Sequence, residues 1–271
     1  MTTLQKVIKY LAIAFAIFLT FSILSGILRA VGLLGGFFKD DAVLEDVKTY
    51  SVTAGIRELD IRINAADVYI KEGTAFSVES NLKHLKVEDK DGRLTIQETK
   101  KYTGTYTGAV LTVYVPAETV FDDVKLITGA GRLTIDHLSA GTLDFVLGAG
   151  DVSVGTLIAT RSADIEGGAG RVTISGGAMK DLELEMGVGQ LNLTSELTGK
   201  CKMDLGVGES NITLLGNKAD YSLDLEKGIG NITVDGVNVN DFNGIGNATN
   251  KVEINGGIGA IKVEFQNPDA A

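Results

Sequence analysis

Residues 182–213 read LELEMGVGQLNLTSELTGKCKMDLGVGESNIT, and this stretch decides the fold. Leu182, Leu184 and Met186 alternate with polar residues up to Gly187-Val188-Gly189, and Leu191 and Leu193 resume the alternation beyond it. The figure then returns, with Cys201, Met203 and Leu205 leading into Gly206-Val207-Gly208. An apolar period of two marks strands with one buried face. A glycine pair between two such strands marks a sharp corner, where positive φ or close backbone approach leaves no room for a side chain.

The figure fills the second half of the chain. Its glycines are Gly129 and Gly131, Gly148 and Gly150, Gly168 and Gly170, Gly187 and Gly189, Gly206 and Gly208, Gly228 and Gly230, Gly244 and Gly246, and Gly257 and Gly259. The first five triplets lie 19, 20, 19 and 19 residues apart, and the last intervals are 22, 16 and 13. A fixed period in this range is the signature of stacked repeats. Each repeat reads as strand, glycine corner, strand and looser turn, and no helix-period segment interrupts the series. No proline falls between residues 117 and 267, as stacked strands that must donate to their neighbours require. The expectation is an all-β chain, a parallel β-solenoid of about 19-residue rungs, with these sixteen glycines as its structural corners. The middle residue of the triplet is Ala three times, then Val twice, then Ile three times. A corner that widens along the stack and a recent duplication of neighbouring repeats both account for that order.

Working outward from the repeats, residues 237–271 hold triplets too closely spaced for full rungs, so they read as short repeats and a C-terminal cap. Lys251–Phe265 in particular has the look of a closing hairpin. Residues 117–236 form the regular solenoid. Residues 51–116 are β-patterned without the period and are expected to start or cap the stack, with a hairpin at residues 85–96 around a turn at Asp89–Gly92.

Ahead of them residues 39–50 read as an acidic linker (Asp40, Asp41, Glu45 and Asp46). Residues 10–38 are almost wholly apolar, with nineteen uncharged residues from Tyr10 to Leu28. That is close to the roughly 20 needed to cross a bilayer. The run carries no polar stripe and no small-residue cleavage site, which favours one transmembrane signal anchor over a core helix or a cleaved signal peptide. Lys6 and Lys9 precede it and Arg29, Lys39 and Lys48 follow, so counting cations does not orient it. The short basic tail at residues 1–9 favours a cytoplasmic N-terminus and repeats outside the membrane.

Composition narrows the functional classes. A net charge of −10 argues against nucleic-acid binding, which needs clustered cations. The single cysteine, Cys201, excludes an internal disulfide and sits at an apolar position of the repeat, as a small buried hydrophobe would.

Gly-x-Gly loops that hold phosphates open a helix, and here strands follow. A calcium ladder would need aspartate after each triplet, yet those positions are Arg132, Asp151, Arg171, Gln190, Glu209, Asn231, Asn247 and Ala260. His84 and His137 stand alone, without ligand spacing. Asp122-Asp123 reads as a turn, and Glu183 and Glu185 as outward solubilising charges without matching carboxylates on neighbouring rungs. Asn192, Asn211, Asn231 and Asn247 each begin an Asn-x-Thr, mostly just past a corner where asparagine suits tight backbone geometry. Catalytic, cofactor-binding and metal-binding residues are therefore all expected to be none.

Residues 92–97 (GRLTIQ), 111–116 (LTVYVP), 124–135 (VKLITGAGRLTI), 148–154 (GAGDVSV) and 228–234 (GIGNITV) carry a family likeness. Over about residues 51–265 the chain resembles a bacterial β-strand-repeat family labelled "putative adhesin", a domain of unknown function. The resemblance implies a membrane-tethered parallel β-solenoid at the cell envelope, some of whose relatives accompany envelope-stress signalling, and it brings no catalytic residues.

The reading is thus a membrane-anchored, extracytoplasmic, non-catalytic module with an envelope protein or polysaccharide as partner. Flat faces bearing Lys202, Asp204, Asp224, Thr173 and Thr213 are its candidate surfaces. The alternatives are a cytoplasm-facing scaffold that polymerises end to end and, further off, a carbohydrate-active enzyme.

Overall fold

The computed structural model describes residues 44–100, 107–239 and 248–267, with residues 242–245 in backbone alone. The tail 1–9, the apolar run 10–38 and residues 39–43 lie outside the described residues. Among the described residues no helix is long and apolar enough to cross a membrane. The described residues are all-β, apart from one 3-10 turn at Lys218–Asp220.

The first third supplies β1 (Leu44–Ser51), β2 (Glu58–Ala65), β3 (Asp67–Gly73), β4 (Ser77–Leu82), β5 (Leu85–Lys90), β6 (Arg93–Glu98) and β7 (Val110–Pro116). The periodic part supplies β8 (Phe121–Ala130), β9 (Leu133–Ile174), β10 (Gly177–Lys180), β11 (Leu182–Thr198) and β12 (Lys200–Leu215). The last part supplies β13 (Tyr221–Glu226), β14 (Ile229–Val234), β15 (Val237–Val239), β16 (Phe242–Ile245) and β17 (Asn250–Gln266). Strands as long as β9 run through the corners because corner residues stay in the ladder: Ala130 pairs with Ala149, and Gly189 with Gly208.

Parallel pairing fixes the order of the layers. β6 and β7 lie against β2 and β3, which lie against β8 and the start of β9. The rest of β9 follows, then β11 and β12. Next comes β17, and only then β13 and β14. Inward residues form continuous apolar columns. Ile61, Leu126, Phe145, Ile165, Leu184, Met203, Ile254 and Leu225 make one such column, and every member is buried. Deleting one of these side chains would leave a cavity between two fixed rungs.

At the corners the backbones lie too close for any side chain. A Cβ added to Gly189 would stand 1.8 Å from the Gly170 carbonyl oxygen, and one on Gly208 would stand 1.6 Å from that of Gly189. Gly189 also has φ of +147°, in the left-handed half of the map that side chains disfavour. A glycine-free corner, Asn64-Ala65-Ala66, lies beneath Gly129-Ala130-Gly131. There the Glu98 carboxylate, not another corner, accepts the Asn64 backbone N–H.

Several expectations need correction. Lys251–Phe265 is not a closing hairpin: it belongs to β17, a full rung in parallel register with β12 on one side and β13 and β14 on the other. The 13-residue interval before Gly257 misled because the chain first builds the outermost layer and then returns to fill the slot beneath it. Gly244 lies in β16, which runs antiparallel to β13, so it is outside the corner column; Gly246 is not among the described residues. Part of the expected acidic linker is strand: β1 pairs antiparallel with β4, and Leu44 and Tyr50 pack on the core. Within residues 51–116, β2 and β3 form an ordinary rung whose corner lacks the glycine signature.

The hairpin at residues 85–96 is present, closed by Asp91 (φ 54°) and Gly92 (φ 80°) between paired Lys90 and Arg93. Asp235 and Gly236, at φ 49° and 75°, close the β14–β15 hairpin in the same way. Both are Asp-Gly loops with two positive φ values, whose twist matches that of the strands they join.

Gly189→Ala is expected to destabilise the fold by about 2–4 kcal/mol in denaturant unfolding. Gly176 has ordinary φ, and a Cβ there would lie 3.7 Å from its nearest neighbour. Gly176→Ala should therefore stay within about 0.5 kcal/mol of the parent. Equal effects at the two positions would contradict the packing account of the corners.

Candidate functional site

Outward residues of the strands before each corner form two rows on one face. Register pairs Asp164 with Glu183 and Glu166 with Glu185. Glu183 and Glu185 in turn pair with Lys202 and Asp204, which pair with Glu253 and Asn255. Carboxylates therefore do match on adjacent rungs, contrary to the expectation for Glu183 and Glu185. Subtracting one period from those two positions lands on Asp164 and Glu166, a signal present in the sequence but obscured by the intervening GGAG.

The edges of this acidic group are neutralised and its middle is not. Asp144 forms an ion pair with Lys125. Asp204 binds Lys202 at 2.6 Å and accepts a hydrogen bond from Asn255 at 2.7 Å. Among the described residues Asp164, Glu166 and Glu185 form no ion pair, and Glu183 lies opposite Lys202, which is already bound to Asp204. Partial burial first, and then the charges of Glu166, Glu183, Asp144 and Glu185, push the Asp164 carboxyl above its ordinary value.

Beside this face runs an open groove of about 520 Å³ along the corner column. Glu166, Glu185, Asp204 and Asn255, outward residues before the corners, line it together with Val207 and Ile258, middle residues of the triplets. Corner glycines and the buried Leu147, Met186 and Leu205 complete the lining. Its trough shape follows from the corners, where residues without side chains alternate with the outward middle residue. In space those middle residues run Ala130, Ala149, Ala169, Val188, Val207, Ile258 and Ile229, and the larger ones stand at the groove's end.

The other residues singled out in the sequence do not converge. His84 sits at the turn between β4 and β5, where its carbonyl accepts the Thr99 N–H, whereas His137 lies in β9. Asp122 and Asp123 begin β8; the Arg161 guanidinium donates to the Asp122 carbonyl at 2.7 Å and the Asp123 carboxylate at 3.2 Å. After the corners, Arg171 reaches Gln190 at 3.1 Å and lies 3.7 Å from Asp151. Asn211 donates to Asn192 at 3.1 Å, so this pair forms a side-chain ladder across rungs rather than bonding backbone. Among the described residues no three His, Cys, Asp or Glu side chains are grouped to hold a metal ion. Cys201 is buried in the core, its thiol 3.4 Å from the Thr198 carbonyl, and burial pushes its pKa up.

Stacked parallel rungs sharing one glycine corner define a solenoid-like repeat protein. Residues 56–264 match the family described as Toastrack DUF4097, and the chain belongs to that family. No curated protein matches it. Among solved structures it is similar to a putative adhesin from Bacteroides fragilis NCTC 9343, with 16% identity and a TM-score of 0.49, over 80% of this chain and 95% of that one. It is also similar to a putative cell adhesion protein from Clostridium sporogenes ATCC 15579, with 14% identity and a TM-score of 0.35, over 82% and 99%.

Two outcomes follow from this geometry. The Cys201 thiol should resist a thiol-reactive dye in the folded protein and react only on unfolding; prompt labelling of the native state would contradict its placement in the core. Because the Asp164 pKa is raised on folding, its ionised form costs stability, and that cost is present above its folded pKa and lost as pH falls through the carboxylate range. Asp164→Asn is then expected to stabilise at neutral pH and low salt by about 0.3–0.5 kcal/mol. The gain should vanish in acid, and a gain independent of pH and salt would refute the charge-crowding account.

Proposed function

We propose that this chain is a non-catalytic binding module of the bacterial envelope, tethered by the apolar run at residues 10–38 with its repeats outside the membrane. The observation that carries the reading is the open groove shared by successive rungs. A long, shallow surface bordered by charge suits a polymeric partner such as a protein segment or polysaccharide. A small-molecule site would instead enclose its ligand. An adhesin-like or envelope-stress accessory role fits such a surface.

The aligned carboxylates supply a feature that a carbohydrate-active enzyme would need. Glycoside hydrolysis, however, requires an acid and a base flanking a bound sugar in a site that excludes water. Here four carboxylates stand in rows on one face. Against the polymerising scaffold, both ends of the stack carry antiparallel strands, β1 with β4 and β5 at one and β15 with β16 at the other. Such additions cover the parallel edges through which rungs would join end to end.

Protease added to intact cells, with a cytoplasmic protein as control, should digest the repeat domain. Protection that ends only on lysis would overturn the proposed sidedness.

A further inference from the structure

We propose that the groove along the glycine corners is the docking site for a short cationic segment, carrying apolar side chains, of a partner protein. The proposal rests on the binding-module reading and names its surface and the chemistry of its partner.

The groove offers two kinds of complementarity side by side. Part of its lining is apolar: Leu147, Met186, Leu205, Val207 and Ile258. Another part is acidic, with Glu166 and Glu185 in the lining and Asp164 and Glu183 on the same strands two residues before them. Lysines neutralise the carboxylates at either edge of the group, Asp144 and Asp204. Of the four between them, Glu183 shares Lys202 with Asp204 and Glu253, while Asp164, Glu166 and Glu185 keep charge that an incoming Lys or Arg would neutralise. The same charge repels anionic polymers, so the face selects against acidic polysaccharide and nucleic acid.

The lining extends over five rungs, from Val146 through Glu166, Glu185 and Asp204 to Ile258. Four steps of about 4.8 Å give about 19 Å, room for about six residues of extended chain at about 3.3 Å each. The first glycines of the triplets in the lining cannot carry side chains, because a Cβ there would strike the rung beneath. A Cβ on Gly187 would stand 2.4 Å from the Gly168 carbonyl oxygen. The trough is therefore a fixed feature of the stack, open to side chains from another molecule.

The test uses the full-length chain in phosphatidylcholine nanodiscs and a dye-labelled short peptide of alternating lysine and leucine, read by fluorescence anisotropy against empty nanodiscs. Alternating glutamate–leucine and lysine–serine peptides serve as comparisons. The lysine–leucine peptide should bind, more weakly as salt rises; the glutamate–leucine peptide should not bind, and the lysine–serine peptide should bind less tightly.

The double variant Glu166→Gln with Glu185→Gln should weaken binding about tenfold. Asp151→Asn, which removes a carboxylate beyond the corner and outside the groove, should leave affinity within about twofold. Both variants alter exposed side chains, and their melting temperatures should match the parent. Binding no greater than on empty nanodiscs, or an equal loss from Asp151→Asn, would overturn the groove assignment. The binding-module reading fails on a separate result, protection of the repeat domain from protease in intact cells.

Discussion

The whole stack depends on how closely one backbone turn can lie on the next at its corner. At Gly208 the carbonyl of the rung beneath occupies the space where a Cβ would stand. With a side chain there, the rungs would have to separate, and the strands on both sides of the corner would lose their shared register. Glycine at both flanks of the triplet removes that conflict and lets the hydrogen-bonded ladder continue around the bend. The corner at Asn64-Ala65-Ala66 shows the rule by its exception. Among the described residues no further corner of the column lies beneath it, side chains are admitted, and a glutamate takes up the Asn64 N–H.

Glycine corners also shape the outer surface. The residues that cannot carry side chains leave a trough, and the residue between them projects as a ridge. Fold and candidate site therefore share one physical cause, and the trough follows the column over five of its rungs. The charge beside it comes from outward positions of the strands, which the core leaves free to vary. Along those rows, lysines balance carboxylates at the edges and leave the centre acidic.

Much of this was legible in the sequence because it rests on short-range signals. Period-two alternation around Gly187-Val188-Gly189 gave strand, corner and buried face together, and the Asp91-Gly92 hairpin announced itself through its turn residues. What stayed hidden depends on pairing between segments remote in the chain. Nothing local says that Lys251–Phe265 enters beside β12, because a rung and a closing hairpin share the same alternation. β2 and β3 went unrecognised as a rung because the pressure that demands glycine is absent at their corner. At the site, Glu183 and Glu185 were visible, but Asp164 and Glu166 became their neighbours only once the register was fixed. The groove itself was illegible, since it consists of absent side chains whose alignment needs three dimensions.

The placement of β17 between β12 and the β13–β14 layer has a consequence for biosynthesis. Residues 221–234 emerge from the ribosome before residues 250–266, yet their parallel neighbour in the stack is the later segment. Until that segment arrives, the far edge of β12 has no layer beyond it, and the outermost layer has nothing to sit on. Growth by simple addition of each new rung to the last therefore stops at β12, and the two final layers close as a unit. β17 acts as a keystone, so a product cut short before residue 250 carries an open, pairing-competent edge instead of a finished end.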